Sequence, residues 1–165
     1  MTDVVRGRVF ELHRKPEAPG EHGLPKPTVS EALVRRSGVE GDFNRYRHES
    51  KNDDPGMAVL IMPRETLSEL EREGWPVRSG DLGENITTEG IPYDWFRPGK
   101  RLRVGDAVLE VSQPCTPCDN LYLLPYVGSA RGPEFLKTLV GRRGWFARVV
   151  AEGRVRKGES VTPLP

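Results

Sequence analysis

The apolar residues of this chain come in short runs that glycine and proline interrupt, and this punctuation limits the folds open to it. The sequence holds 18 glycines and 15 prolines among 165 residues. Short apolar runs bounded by such residues are typical of β-strands joined by turns. The alternation of strands and helices that builds a doubly wound sheet is missing. We therefore predict one mainly β domain over residues 1–165, a compact β-barrel with a few short helices.

Local patterns predict the elements of the first half of the chain. VVRGRVFEL (4–12) predicts an opening strand, and the Pro- and Gly-rich stretch after it (13–27) predicts a long loop. MAVLIM (57–62) is a continuous apolar run of strand length, which suits burial on both faces. PRETLSELEREG (63–74) predicts a helix that covers the sheet, because its two leucines share one face.

The second half has three further predicted elements. KRLRVGDAVLEVSQ (100–113) consists of two alternating runs about a Gly-Asp pair and predicts a hairpin. GPEFLKTLVGRRG (132–144) predicts a second helix, whose Arg142 and Arg143 suit the negative C-terminal end. Residues 144–164 predict a closing hairpin.

Charge and cysteine content narrow the class of protein. The 25 basic and 24 acidic residues leave a net charge of +1, so no global field attracts nucleic acid or a membrane. No apolar stretch approaches the roughly 20 residues of a membrane span, and the first residues lack the apolar core of a secretory signal. Two cysteines are too few for a disulfide scaffold or for a four-thiolate iron–sulfur cluster. We predict a cytoplasmic protein that binds neither nucleic acid nor a membrane.

Both cysteines, Cys115 and Cys118, lie in one proline-bounded segment directly after the predicted hairpin. Structural zinc takes four ligands, and the histidines at positions 13, 22 and 48 are distant in sequence. A thioredoxin-type pair normally opens a helix within a βαβ unit, whereas this pair follows a strand and contains Pro117. Two interpretations remain equally open, namely two small buried side chains and a thiolate presented for chemistry.

The segment GDLGENITTEG (80–90) is a second candidate site. Gly80 and Gly83 allow backbone N–H groups to approach an anion, and Glu84 and Asn85 add a carboxylate and an amide. The segment lacks the Gly-Lys-Ser/Thr ending of a phosphate-binding Walker loop. A tight turn before a strand is the alternative.

The segment GVEGDFNRYRHES (38–50) is the third candidate, because Arg45, Arg47 and His48 make it the densest basic cluster of the chain. Arginine binds phosphate bidentately, so a ligand that carries phosphate would fit. The acidic residues nearby make a solvated charged loop the alternative.

The order of these motifs resembles the MOSC domain, the family named after the C-terminal domain of molybdenum cofactor sulfurase. GVEGDFNRY is followed by MAVLIM and its helix, by GDLGENITTEG, by LRVGDAVLEVSQPCTPCDNL and by GWFARVVAEGRVRKGESV. The resemblance runs over residues 28–161. It implies a pseudo β-barrel similar to the barrel domain of pyruvate kinase.

The resemblance also implies a role for Cys118. In members related to the mitochondrial amidoxime-reducing component, the second cysteine of a Cys-x-x-Cys pair ligates molybdenum of the molybdopterin cofactor, and an asparagine at the position of Asn85 lies near that cofactor. Cys118 is then the catalytic residue and metal ligand, a soft thiolate suited to a sulfur-rich metal centre. The implied cofactor-binding residues are Gly83, Glu84, Asn85, Arg45, Arg47 and Cys118. That branch has Arg-Pro where this chain has Gly83–Glu84.

From this resemblance we predict a molybdenum-cofactor-binding component that reduces small N-hydroxylated molecules. An external electron donor would be needed, because the sequence has no haem, flavin or iron–sulfur motif. The alternative is a sulfur carrier that receives sulfur from a donor protein as a persulfide on Cys118, with Cys115 resolving it as a disulfide. A third hypothesis is a binding module with inert cysteines.

Overall fold

The computed structural model describes residues 5–20 and 23–165, so that Val4 of the predicted first strand and His22 lie outside it. Its strands are β1 (Gly7–His13), β2 (Thr28–Val29), β3 (Glu31–Arg35), β4 (Gly38–Val39), β5 (Val59–Pro63), β6 (Ile86–Glu89), β7 (Arg101–Val104), β8 (Ala107–Pro114), β9 (Trp145–Ala151), β10 (Gly153–Arg156) and β11 (Ser160–Leu164). Its helices are α1 (Arg45–Ser50), α2 (Arg64–Arg72) and α3 (Gly128–Leu139), with short 3-10 helices at Pro55–Met57, Tyr93–Trp95 and Asp119–Leu123.

Seven of the described strands form a closed barrel. Its order is β11, β7, β8, β9, β5, β6 and β1, and β1 pairs back onto β11. The pair β5–β6 is parallel, and the other neighbours in the barrel are antiparallel. Closure satisfies the backbone groups that an open sheet would leave at its edges. The predicted mainly β barrel with a few short helices is confirmed.

Two apolar clusters hold the barrel and its helices together. The first fills the barrel and includes Ile61, Leu102 and Leu109. All five residues of β5 are buried, as the continuous apolar run predicted. The second cluster lies between the barrel and the helices, where Leu67 and Leu70 of α2 are buried. The prediction that this helix covers the sheet is therefore confirmed.

The predicted hairpins have different outcomes. β7 and β8 pair across the Gly105–Asp106 turn, with Val104 opposite Ala107, so this hairpin is confirmed. The closing hairpin is wrong, since β9 pairs with β5 and β8 whereas β10 pairs with β3 in a separate small sheet. A Cβ on Gly153 would lie 2.5 Å from the carbonyl oxygen of Asp106. The chain leaves β8 at this close approach and crosses to the other sheet.

The helices also differ from the sequence prediction. The basic segment contains α1, which Asn44 caps by accepting a hydrogen bond of 3.0 Å from the Arg47 backbone N–H. None of the residues of α1 is buried, so no apolar periodicity marks it in the sequence. The second predicted helix begins earlier and ends at Leu139, because Val140 leaves the helical conformation (φ −56°, ψ 123°). No helix among the described residues is long and apolar enough to cross a membrane.

Candidate functional site

A cavity of about 270 Å³ opens where β8 ends and β9 begins. This volume is close to the lower end of the roughly 300–1,000 Å³ found for small-molecule sites. The walls combine apolar side chains with thiols and cations. The lining residues used below are Lys26, Arg45, Lys51, Leu60, Leu82, Gly83, Cys115, Cys118, Arg143 and Phe146.

The cysteine loop is fixed to the barrel at its first residue. The Cys115 backbone N–H donates a hydrogen bond of 2.8 Å to the carbonyl of Gly144, next to the Pro114–Trp145 pair that ends the β8–β9 ladder. Cys118 caps the 3-10 helix that follows, because its carbonyl accepts from Leu121 at 3.2 Å. Both thiols are free, half-buried and part of the cavity wall. The strand end thus presents both sulfur atoms to one cavity.

The Cys115 thiol has an apolar environment. Its side chain packs against Met57, Leu60 and Phe146. Burial raises the pKa of the Cys115 thiol, and the positive charge of Arg143 offsets this only in part. Cys115 therefore stays a neutral thiol near pH 7, which makes it a poor nucleophile.

The two arginines of the basic segment have separate environments. Arg45 lines the cavity, where its guanidinium lies 5.5 Å from the Phe43 ring and pairs with Glu49 at 3.1 Å. Arg47 points away from the cavity lining and donates to the carbonyls of Ser37, Asp53 and Asp54 at 2.8, 3.1 and 2.8 Å. Arg47 therefore ties α1 to the turn that follows it and to the turn between β3 and β4, and burial lowers the pKa of its guanidinium. The exposed His48 likewise pairs with Asp53, at 3.0 Å.

Of the three residues predicted in the glycine-containing segment, only Gly83 lines the cavity, whereas Glu84 and Asn85 do not. Gly83 lines the cavity with φ +81°, a conformation that favours glycine. The Asn85 side chain lies behind the wall, where it accepts from the Leu60 N–H at 3.0 Å. Glu84 is fully buried; its Oε2 accepts a hydrogen bond of 2.9 Å from Thr87. Asn85 and Glu84 thus support the wall from behind and do not form part of its lining.

Arg143 is a cavity residue that the sequence analysis missed. The pattern assigned it to the end of a helix, together with Arg142. In the structure Arg142 does serve α3, since it donates to the Thr138 carbonyl and pairs with Glu73 at 2.6 Å. Arg143 instead lies beyond the helix, is 5% exposed and lines the cavity beside Cys115. Nothing in the sequence distinguishes these two adjacent arginines.

The family can be assigned from a match that covers most of the fold. The model of the MOSC domain matches residues 45–162, which include α1, the cysteine loop and the last strand as far as Thr162. The chain belongs to the MOSC domain family. This family is associated with binding of the molybdenum cofactor, and the resemblance predicted from the order of the motifs is confirmed.

Relatives with similar sequences include much longer proteins. Protein YiiM of Escherichia coli is 30% identical over 130 residues, which are 76% of this chain and 55% of YiiM. The chain thus spans about half the length of that relative. A protein named "Reductase" from Gibberella moniliformis is 34% identical over 88 residues, which are 52% of this chain and 15% of that protein.

Solved structures agree on the fold. The crystal structure of the YUAD protein of Bacillus subtilis aligns with a TM-score of 0.78 and 17% identity. The alignment covers 98% of this chain and 97% of that one. At this level of identity the likeness concerns the fold alone.

Proposed function

We propose that this MOSC protein binds the molybdenum cofactor in the cavity at the end of β8, with the Cys118 thiolate as the molybdenum ligand. It would act as the reducing component for small N-hydroxylated compounds. The observation that carries the proposal is that the loop after β8 brings Cys115 and Cys118 to the wall of one cavity. Thiolates are the protein ligands suited to a soft, sulfur-rich metal centre.

The other walls fit the remaining parts of such a cofactor. Leu60, Leu82 and Phe146 offer apolar surface to a planar ring system. Arg45 and Lys51 bring positive charge to the cavity, which suits a terminal phosphate. Gly83 contributes its backbone to the cavity lining. When bound, the cofactor would supply two-electron redox chemistry.

The residues of this chain would then have distinct roles. Cys118 binds the metal. Cys115, a neutral thiol packed on Met57 and Phe146, keeps the adjacent wall apolar. The reduction consumes two electrons and two protons, breaks the N–O bond and releases the oxygen as water, so that a hydroxylamine becomes an amine. The electrons come from a separate donor protein. The name of the fungal relative, "Reductase", agrees with this chemistry.

Reduction of an amidoxime by the cofactor-loaded protein tests this proposal, with reduced methyl viologen as the electron source. We expect turnover by the wild type, loss of turnover in Cys118→Ser and partial activity in Cys115→Ser. The matched control is Asp119→Asn, because Asp119 lies next to Cys118, is exposed and is not part of the cavity lining. Equal rates for the wild type and Cys118→Ser would overturn the proposal.

The second candidate function is sulfur delivery. The observation in its favour is that both free cysteines line one cavity, so a persulfide on Cys118 has a second thiol within the same site. In this scheme a desulfurase transfers its sulfane sulfur to the Cys118 thiolate. The thiolate form of Cys115, which burial makes a small fraction near pH 7, then attacks the inner sulfur of the Cys118 persulfide, so that a Cys115–Cys118 disulfide forms and hydrosulfide leaves. Intact mass after incubation with the desulfurase detects the gain of one sulfur atom, and its absence would exclude this function.

A further inference from the structure

We propose that Arg143 is the anion-binding residue of the cavity and that it takes a phosphate or carboxylate group of the molecule bound there. The inference deepens the proposed function and rests on it only for the identity of the natural ligand. The anion site itself follows from the burial, position and missing partners of one side chain.

The first observation is that Arg143 is buried without the contacts that buried arginines require. Arg143 is only 5% exposed, yet no described residue accepts a hydrogen bond from its Nε or Nη1 atom. An ion pair with a carboxylate is likewise missing within residues 5–20 and 23–165. Burial of an uncompensated charge is costly, so such a group normally has a partner.

The second observation is that two other cations of the cavity wall, Lys26 and Arg45, pair with carboxylates, whereas a third, Lys51, is exposed to solvent and lies 5.6 Å from the Tyr46 ring. The Lys26 ammonium lies 2.7 Å from a carboxylate oxygen of Asp42. Arg45 pairs with Glu49 at 3.1 Å. Among Lys26, Arg45 and Arg143, Arg143 is the one whose guanidinium nitrogens include two without an acceptor in the described chain. Arg143 is therefore a buried cation of the cavity wall without a carboxylate partner among the described residues.

The position of Arg143 is fixed by the backbone of Gly144, the residue that follows it. The next residue, Gly144, accepts from Cys115 N–H at 2.8 Å and donates to the Tyr93 hydroxyl at 3.0 Å. A Cβ at Gly144 would lie 2.7 Å from the Ile61 carbonyl, so this segment sits tightly against β5. Arg143 thus comes from a rigid part of the barrel, which suits a pre-organised binding group.

A guanidinium selects oxyanions because its planar N–H groups match the oxygen atoms of phosphate and carboxylate. Two sources are chemically equivalent for this site, namely the phosphate of a bound cofactor and an acidic group on the substrate. Both predict that the protein without cofactor binds inorganic phosphate in the cavity.

Calorimetric titration of the cofactor-free protein with inorganic phosphate is the first test. We expect one site per chain in the wild type and binding at least about tenfold weaker in Arg143→Met, as expected for loss of a hydrogen bond to a charged group. Arg143→Lys should fall between them, because it keeps the charge but loses the fork of donors. The control is Arg142→Lys, since Arg142 pairs with Glu73 outside the cavity. Equal affinity of Arg143→Met and the wild type would overturn the inference.

Thermal unfolding gives a second readout that separates an anion site from a structural arginine. In buffer without oxyanions, Arg143→Met should melt at or above the wild-type temperature, because it removes an unpaired buried charge. Phosphate should raise the melting temperature of the wild type and leave that of Arg143→Met unchanged. A lower melting temperature for Arg143→Met in both buffers, with the same phosphate shift as the wild type, would contradict the inference.

The two proposals fail separately. Phosphate binding that depends on Arg143, in a protein that never retains molybdenum, would overturn the proposed function alone. If the wild type retains molybdenum but shows no phosphate binding that depends on Arg143, this inference alone would be overturned. A repeat of the titration after cofactor loading distinguishes the sources, because a cofactor phosphate would block the site whereas a substrate group would leave it open.

Discussion

Asn85 donates a hydrogen bond of 2.9 Å from its Nδ2 to the Oδ2 atom of Asp42, and the same oxygen accepts one of 2.7 Å from the Lys26 ammonium. Lys26 lines the cavity, whereas Asn85 is buried behind it. The Asn85 amide therefore positions Lys26 in the cavity wall through the Asp42 carboxylate, although Asn85 itself does not line the cavity. Its Oδ1 also accepts from the Leu60 N–H, which ties the start of β5 to the same network.

Asn85→Ala should destabilise the protein by about 1–3 kcal/mol, because the buried N–H of Leu60 and the Asp42 carboxylate each lose a partner. Urea unfolding of the cofactor-free protein measures this difference. Asn120→Ala removes the same group from an exposed position and should change stability by less than about 0.5 kcal/mol. Equal stability of the two variants would contradict the stabilising role of the Asn85 hydrogen bonds.

Gly80→Ala should be more destabilising than Gly99→Ala, although both glycines have positive φ (+91° and +93°). A Cβ at Gly80 would lie 2.5 Å from the Lys26 carbonyl, whereas nothing lies within 4 Å of one at Gly99. The strained backbone alone costs about 1–2 kcal/mol, and the clash adds about 1–3 kcal/mol. Denaturant unfolding of both variants measures the two losses of stability. Equal losses would contradict the prediction, because they would show that the loop around Gly80 moves to make room for the methyl group.

His13 should make stability fall as the pH is lowered. Burial lowers the pKa of His13, against the opposing charges of Glu84 and Glu11. The unfolded chain, with a histidine pKa of about 6.5, then binds more protons than the folded one, so the stabilisation is complete above that pH and is lost as the pH falls towards the lowered value.

Melting temperatures from about pH 7.5 to pH 5 measure this effect. We expect a steeper decline in the wild type than in His13→Gln, which cannot take up the proton. A glutamine can also still bond Ser79, which lies 2.7 Å from Nε2 of His13. Parallel curves for the two proteins would contradict the assignment.

Cys115 should react slowly with alkylating agents near neutral pH, because burial raises the pKa of its thiol. The rate of iodoacetamide reaction against pH, measured in a Cys118→Ser background, gives the apparent pKa. Arg143→Met should raise it further, since the positive charge of Arg143 favours the thiolate. An apparent pKa below the ordinary cysteine range, or a decrease in Arg143→Met, would contradict this environment.

Local sequence patterns predicted those parts of the fold that depend on local physics. The Gly105–Asp106 turn, the buried run of β5 and the apolar face of α2 each follow from a short periodic segment. The closing hairpin was wrong because the choice of partner strand depends on a close approach between Gly153 and Asp106, which are far apart in sequence. Such a contact leaves no local signal.

The candidate site was predictable only in part, for a related reason. The resemblance to the family identified Cys118 and Gly83 at positions that line the cavity. Residue type alone could not separate Arg45, which lines the cavity, from Arg47, which binds backbone carbonyls. Arg143 was missed because its place in the cavity wall depends on burial, and the sequence pattern made it equivalent to its half-buried neighbour Arg142.

Cys118 is the residue that we propose to hold molybdenum in the cavity. The most direct test is the molybdenum content of protein made in a host that produces the cofactor and purified without oxygen, compared among the wild type, Cys118→Ser and Cys115→Ser. We expect close to one molybdenum per chain in the wild type, loss in Cys118→Ser and partial retention in Cys115→Ser. Equal molybdenum content in all three proteins would contradict this proposal.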